Sequence, residues 1–370
     1  MDFLLQTLKA ITYKDVIMWV IGLVLIYLAI KKEMEPALLL PIGFGVILVN
    51  IPFSNVINSE EGAGIIQWLF EIGIEASEAL PILLFIGIGA MIDFEPLIIN
   101  PKLMIMGAFA QIGIFLTLIL AVLLGFPLKD AASVGIIGAA DGPTSILVAM
   151  RLQSSYLGPI MVVAYSYMAL VPMIQPAVIK CVTTKKERLI RMQYSNRHAS
   201  KTVKILFPIV ITLVAGIIAP KSLALIGFLM FGNLIRECGV LNGLAETAQN
   251  ALANLITLIL GITIAFQMRA EEFLQLKTLM IMGLGLFAFI FDTIGGVMCA
   301  KVINIFAKEK INPMIGAAGI SAFPMSARVI HKMGLKEDKS NYLLMHAVGT
   351  NVSGQVASAI VGGLILGLIG

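Results

Sequence analysis

Apolar runs of the length needed to cross a lipid bilayer recur along almost the whole chain, and this constrains the fold more than any other feature. A helix needs roughly 20 mostly apolar residues to span a hydrocarbon core about 30 Å thick. Runs bounded by charge, proline or polar turns fall near 16–30, 37–53, 80–94, 103–126, 157–180, 204–220, 221–236, 252–268, 278–300 and 343–369. That pattern predicts an all-α membrane protein with about ten transmembrane helices. Charged residues make up 13% of the 370 positions and hydrophobic residues 59%, against about 25% charged in an ordinary soluble domain. A soluble globular enzyme is therefore excluded. No small-residue cleavage site follows the first apolar run, so 16–30 reads as a crossing and not as a removable signal. Cys181, Cys238 and Cys299 lie far apart with no CxxC spacing, which suggests neither disulfides nor a zinc site.

Two further segments, 130–151 and 311–330, are apolar but rich in Gly, Ala, Ser and Pro, with Gly-Pro or Phe-Pro breaks in the middle. They read as re-entrant helical hairpins. Between Lys180 and Lys204 the chain carries Lys185, Lys186, Arg188, Arg191, Arg197 and Lys201 against a single acid, Glu187. Basic loops stay in the cytoplasm, so this linker, 181–203, is expected there, and counting crossings outward puts most of the 26 basic residues on the same side and both termini outside. The halves on either side of the linker resemble each other. LMIMG occurs at Leu103 and again at Leu279, IGAADGP from Ile137 is echoed by IGAAGIS from Ile315, and Ile42-Gly43-Phe44 is echoed by Ile226-Gly227-Phe228. Five crossings per half turn the second copy upside down. The expected organisation is thus two inverted repeats, 1–180 and 204–370, whose hairpins enter from opposite faces and meet at their tips, as in secondary transporters.

Irregular backbone at membrane depth is tolerated only where protein or water satisfies the freed groups, so the hairpin tips are where carbonyl oxygens become available to a hard cation. Asp141 lies at the first tip, in GAADGPTS. An acid at that depth costs roughly 2.5–3.5 kcal/mol on insertion scales and marks function by default; capping the helix that begins near Pro143 is the structural alternative. The second tip offers Asn312-Pro313, Gly316, Ser321 and Arg328, where Asn and Ser oxygens suit sodium, and Asx-Pro turn chemistry or helix packing would explain them equally well. Two crossings carry polar interruptions, Tyr165-Ser166-Tyr167 and Gly349 to Gln355 with Asn351 inside it, and each helix is expected to unwind beside its hairpin. A tyrosine phenol there can pass a proton. Asp292, in DTIGG, is a second buried acid that could pack against a nearby base, and His346 reads as interfacial. No P-loop, GxSxG, HExxH or basic aromatic face is present, so no nucleic-acid partner is expected; the net charge of +4 sits in the basic loops and suits anionic lipid.

GAADGPTSI at 138–146, DTIGG at 292–296, NPMIGAAGISAFPMSAR at 312–328 and Asn-Val-Ser-Gly at 351–354 together resemble the β subunit of the sodium-pumping biotin-dependent decarboxylases, in the same order and over essentially the whole chain. The resemblance implies a carboxybiotin decarboxylase that accepts carboxybiotin from a biotin carrier protein, releases carbon dioxide, consumes a proton from outside and exports Na+. It implies catalytic roles for Asp141, Tyr167 and Arg328, contact of Arg328 with carboxybiotin, and Na+ ligation by Asp141, Asn312, Gly316, Ser321 and Asn351. It further implies a carboxyltransferase subunit and a small single-span membrane subunit as partners, a homo-oligomer, and the bacterial cytoplasmic membrane as location. A secondary transporter without a catalytic step, either a Na+-coupled organic-acid carrier or a Na+/H+ antiporter, shares the inverted-repeat plan and stays open at this point.

Overall fold

Capping sets where the first crossing begins and ends. Thr12 and Asp15 form a reciprocal box at the start of the Tyr13–Lys32 helix, and Lys31 and Lys32 close its last turn, where cations oppose the helix dipole. The chain then turns sharply through Glu33 and Glu35, both left-handed, into the proline-led helix Pro36–Val49. The computed structural model describes residues 2–59, 62–76, 78–192 and 198–370, and these form an all-helical molecule apart from one two-residue β-ladder, Asn58–Ser59 with Gly62–Ala63. Arg197 of the basic linker lies outside the described residues.

Among the described residues seven helices are long and apolar enough to cross a membrane: Tyr13–Lys32, Leu103–Leu123, Leu157–Val182, Lys201–Ile218, Asn242–Gln267, Leu276–Phe306 and Leu344–Ile369. Helices also stand at the other three expected crossings, but Pro36–Val49, Ala79–Met91 and Leu223–Cys238 have 14, 13 and 16 residues. At 1.5 Å per residue these rise only about 20–24 Å. The helix at Ile65–Phe70 and the early start of the eighth expected crossing, at Asn242, were not legible as apolar runs.

Burial separates scaffold from core. Only 11% of the Lys201–Ile218 window and 17% of the Tyr13–Lys32 window is buried, against 56% for the Leu276–Phe306 helix and 61% for the Leu344–Ile369 helix. The first pair presents apolar side chains outward, as lipid-facing helices do; the second pair (the central and last helices below) forms the surface on which the hairpins rest.

Both glycine-rich segments double back. In the first, the legs Leu128–Gly135 and Gly142–Arg151 flank a short 3-10 turn, and Asp130 at the entry accepts hydrogen bonds from Ser154 Oγ at 2.7 Å and Ser155 N at 2.9 Å at the exit. In the second, Asn312 at the entry and Asn341 beyond the exit both donate to the Arg188 carbonyl, at 2.9 and 3.0 Å. The two bases sit at opposite ends of the central helix. Tyr156, just past the first hairpin, accepts from Lys277 at 2.7 Å, while Glu187, beside Arg188, pairs with Lys301 at 3.0 Å. The central helix has 31 residues, a span of about 46 Å, so the hairpins approach from its two ends.

The tips meet halfway along it. Ser321 N donates to the Ala139 carbonyl at 3.0 Å, joining one tip to the other. The DTIGG segment is the floor beneath both: Asp292 abuts Gly138 of the first hairpin, and Gly296 lies backbone to backbone against Gly316 of the second, where a Cβ on either glycine would strike the other's carbonyl. Among the described residues Asp292 pairs with no base. Its Oδ1 accepts from Gly113 N at 2.5 Å, at the start of the Ile112–Leu123 helix.

One expectation is overturned. The helices Leu157–Val182 and Leu344–Ile369 run unbroken through Tyr165–Tyr167 and Gly349–Gln355. On the last helix Asn351 and Gln355 reach across to hairpin carbonyls, and Tyr167 reaches the Met282 carbonyl of the central helix, while the backbone of both helices stays intact. The break falls instead at Ala110-Gln111, between Leu103–Phe109 and Ile112–Leu123.

Candidate functional site

The first tip is built to hold a carboxylate. The 3-10 turn Ile136–Ala139 ends in Ala140, left-handed at φ 52°, and the chain passes through Asp141 in extended geometry before Pro143 starts the next helix. Asp141 is 3% exposed. Its Oδ2 accepts from Thr144 Oγ1 at 2.5 Å, and Ser358, on the last helix, reaches the same carboxylate. The adjoining Gly142 carries the ring of Tyr165 against its Cα, where a Cβ would collide with the ring. The Tyr165 hydroxyl is buried and has no hydrogen-bond partner among the described residues.

The second tip is built of carbonyls. Five consecutive ones, Ala317 to Ser321, accept from side-chain amides: Gln175 to Ala317 at 2.8 Å, Asn351 to Ala318 at 3.1 Å and to Ile320 at 2.7 Å, Gln111 to Gly319 at 3.1 Å, and Gln355 to Ser321. A carbonyl accepts only, so each amide must present its nitrogen to the turn and its oxygen elsewhere. The Gln175 oxygen takes a bond from Ser326 Oγ at 3.1 Å. Those of Gln111, Asn351 and Gln355 are buried with no donor among the described residues. Asn351, Gln355 and Ser358 follow at helical spacing on the last helix, so one face of that helix serves both tips.

The arrangement gathers one carboxylate, hydroxyls from Thr144, Ser358 and Tyr165, and three amide oxygens free to accept. Such an all-oxygen set suits a hard cation. Among the described residues no group of three His, Cys, Asp or Glu side chains could hold a metal, which sets the site apart from zinc chemistry.

The residues singled out from the sequence are distributed as follows. Asp141, Ser321 and Asn351 converge at the meeting of the tips, and Ser321 Oγ also donates to the Gly354 carbonyl at 3.0 Å. Gly316 is the packing contact with the central helix. Asn312 sits at the base of its hairpin, with its amide on the Arg188 and Ile190 carbonyls at 2.9 Å each and its oxygen accepting from Met314 N at 3.1 Å. Tyr167 faces the central helix and donates to the Met282 carbonyl at 2.5 Å, while Tyr165, about 200° around the same helix, faces Asp141. Arg328 opens onto a separate cavity of about 430 Å³. Gln111 and Gln175 were missed, and Gln355 was read only as part of a polar interruption. The signal of the first two was a neutral amide alone in an apolar run, which a search for ionisable groups passes over.

Comparison with known proteins gives full-length matches. Residues 14–369 match the family described as the Na+-transporting oxaloacetate decarboxylase beta subunit. Methylmalonyl-CoA decarboxylase subunit beta of Propionigenium modestum is 46% identical, covering 96% of this chain and 95% of the relative. Glutaconyl-CoA decarboxylase subunit beta of Acidaminococcus fermentans is 47% identical over 98% and 95%, and the oxaloacetate decarboxylase beta chain of Klebsiella pneumoniae 42% over 95% and 94%.

Proposed function

The chain belongs to the family of Na+-transporting decarboxylase β subunits, and from that premise we propose how its residues couple carboxybiotin breakdown to sodium movement. As a subunit of a decarboxylase coupled to Na+ translocation, it has to give the ion a seat that a proton can contest. Asp141 is that seat's charged member, with Thr144, Ser358 and Tyr165 around it and the amide oxygens of Gln111, Asn351 and Gln355 as neutral ligands. The reading rests on one observation: five successive carbonyls at the second tip are each held by a side-chain amide, directly against the turn that carries Asp141.

Sodium binds the ionised Asp141, and a proton arriving at that carboxylate displaces it. Tyr167, held to Met282 near the first hairpin's end of the central helix, stands on the proton's path from that side, and Tyr165 passes it to Asp141. Loss of CO2 from carboxybiotin leaves a nitrogen that takes up one proton, so each turnover consumes the ion that competes with sodium. Exporting one Na+ against 100 mV requires about 2.3 kcal/mol. The two halves act as inverted copies, the hairpins moving as a unit against the lipid-facing helices to expose the seat alternately.

The basic linker faces the cytoplasm of a bacterial inner membrane, where a biotin carrier protein delivers carboxybiotin charged by a carboxyltransferase subunit. A small single-span subunit and further copies of this chain complete the complex, with anionic lipid along the basic loops. Short loops favour the acyl-CoA-linked relatives, and those align at 46–48% identity against 41–43% for the oxaloacetate-linked ones. The test is uptake of radioactive sodium into inverted liposomes containing the complete complex. Carboxylated substrate should drive uptake in step with CO2 release. Sodium movement without any CO2 release would mark a carrier with no catalytic step and overturn the proposal.

A further inference from the structure

The crossing Leu103–Leu123 is broken at Ala110-Gln111, and a break leaves the first N–H groups of the second half in need of partners. An N-cap side chain ordinarily supplies one, its oxygen accepting from the second or third N–H of the helix. Gln111 holds the N-cap position of Ile112–Leu123 and makes no such bond. Its amide nitrogen is turned the other way, donating to the Gly319 carbonyl of the second tip at 3.1 Å and to the Gly107 carbonyl at 3.3 Å. Only the Gln111 backbone serves its own helix, the carbonyl accepting from Ile114 N at 3.2 Å.

The missing cap comes from a different helix. Gly113 is the second residue of Ile112–Leu123, and its N–H goes to Oδ1 of Asp292 on the central helix, at 2.5 Å. That is the bond an N-cap side chain would have made. The approach is possible because residue 113 is a glycine: a Cβ there would strike Asp292 and the Ala288 carbonyl. Asp292 is fully buried, and its Oδ2, which lies against Gly138 of the first tip, has no donor among the described residues. One side chain thus touches the first tip three residues before Asp141 and caps the helix whose N-cap residue holds the second tip.

We propose that Asp292 is a positioning residue for the sodium seat: by capping Ile112–Leu123 from the central helix it relieves Gln111 of that task, leaving the Gln111 amide to grip Gly319 and its oxygen to face the ion. The assignment rests on the sodium seat described under the proposed function and adds a residue that acts on the ion through another. A buried N–H has to find an acceptor, because leaving it unpaired costs about as much as losing a hydrogen bond. With Asp292 in place the Gly113 N–H is answered, and the Gln111 side chain has no reason to turn back. Without Asp292 the nearest oxygen in the chain able to take that N–H is the one on Gln111, from the position where cap side chains stand. The amide then rotates toward Gly113, its oxygen leaves the seat, and the Gly319 carbonyl loses its donor. Sodium meets one ligand fewer, while Asp141 keeps its place and its charge.

The test uses the purified complete complex and measures CO2 release against sodium concentration. Asp292→Ala should raise the sodium concentration for half-maximal activity several-fold, far more than it lowers turnover at saturating sodium. Asp292→Asn keeps an oxygen for Gly113, and asparagine caps a helix as well as aspartate does, so half-saturation should return to near the wild-type value. Half-saturation is read on whatever complex survives purification, so a poorer yield of Asp292→Ala does not imitate the effect. Gln111→Met should by itself raise half-saturation several-fold, and adding Asp292→Ala to it should change little more, because a residue that acts through another has nothing left to act on. Given a shift in Gln111→Met, three results would each overturn this assignment alone: wild-type half-saturation in Asp292→Ala, an Asp292→Asn variant as impaired as Asp292→Ala, or shifts that multiply in the double variant. Wild-type half-saturation in Gln111→Met would remove Gln111 from the sodium seat, and this assignment with it.

Discussion

At the first hairpin tip the chain reverses through one left-handed alanine and presents a carboxylate, with hydroxyls from Thr144 and Ser358 around it. At the second it reverses over a longer stretch and presents five carbonyls, each tied down by an amide from outside the hairpin. Both tips face the same difficulty, that backbone leaving a helix at membrane depth must find partners within the protein. The first spends most of its contacts on one charge. The second distributes its contacts over neutral dipoles, and the amides that satisfy it leave three oxygens with no donor among the described residues. A cation between them meets charge from one side and fixed dipoles from the other, so substitutions at the two tips should fail in different ways.

The largest effect belongs to the charged tip. Asp141→Asn keeps the shape and removes the charge, and we expect both sodium uptake and sodium-dependent CO2 release to fall to background while the complex still assembles, as size-exclusion chromatography would report. Retained coupled turnover would take Asp141 out of the mechanism. At the neutral tip the loss should be graded. Gln355→Met leaves the Ser321 carbonyl buried without its donor, which costs about 1–3 kcal/mol, and removes one oxygen from the seat. The variant should melt earlier in detergent and need several times more sodium for half-maximal activity, yet still turn over. If Gln355→Met lowers the melting temperature and leaves the sodium requirement untouched, the amide only supports the turn.

The difference between the tips also explains what the sequence disclosed. Asp141 stood out because an acid is expensive in an apolar run, and the Gly, Ala and Pro around it announced the turn; both hairpins and all ten helical positions were legible for the same reason. Gln111 and Gln175 carry no charge and interrupt nothing, so hydropathy gave no reason to join them to a turn up to 208 residues away in sequence. The unwinding expected at Tyr165–Tyr167 and Gly349–Gln355 misread polar side chains as weak points in a helix, when Tyr167, Asn351 and Gln355 hold another segment's backbone. Asn312 shows the converse: its Asx-Pro signature is fully accounted for by bonds at the hairpin base.

The two tyrosines divide the comparison more finely, because stability and ion affinity should move in opposite order. Tyr165→Phe removes a hydroxyl with no hydrogen-bond partner among the described residues and should cost almost no stability, while raising the sodium concentration for half-maximal activity. Tyr167→Phe loses its bond to the Met282 carbonyl, worth about 1 kcal/mol, and should lower turnover by slowing proton delivery, with little change in sodium affinity. Equal shifts in sodium affinity for both variants would mean that neither ring face marks the seat.

The smallest effect concerns the hairpin bases, which differ as the tips do. The first is closed by hydrogen bonds from Ser154 and Ser155 to Asp130, the second in part by ion pairs to the basic linker, Arg188 with Glu337 and Arg191 with Asp338 at 2.6 Å. The hydrogen bond from Arg191 holds the Asp338 carboxyl below its ordinary range, with help from Ser340 N. A carboxyl lowered in the folded state favours folding above its unfolded pKa, and that contribution is lost as pH falls through the lowered value. The pair is largely exposed, so salt should weaken it as well. The protection factors of the Ser340 and Asn341 amides, taken against the intrinsic exchange rate at each pH, should therefore fall modestly on acidification or at high salt, and Asp338→Asn should make them low and independent of both. Protection that keeps its pH dependence in the variant would transfer the anchoring to Glu337 and Arg188, the less exposed pair, which salt should affect least.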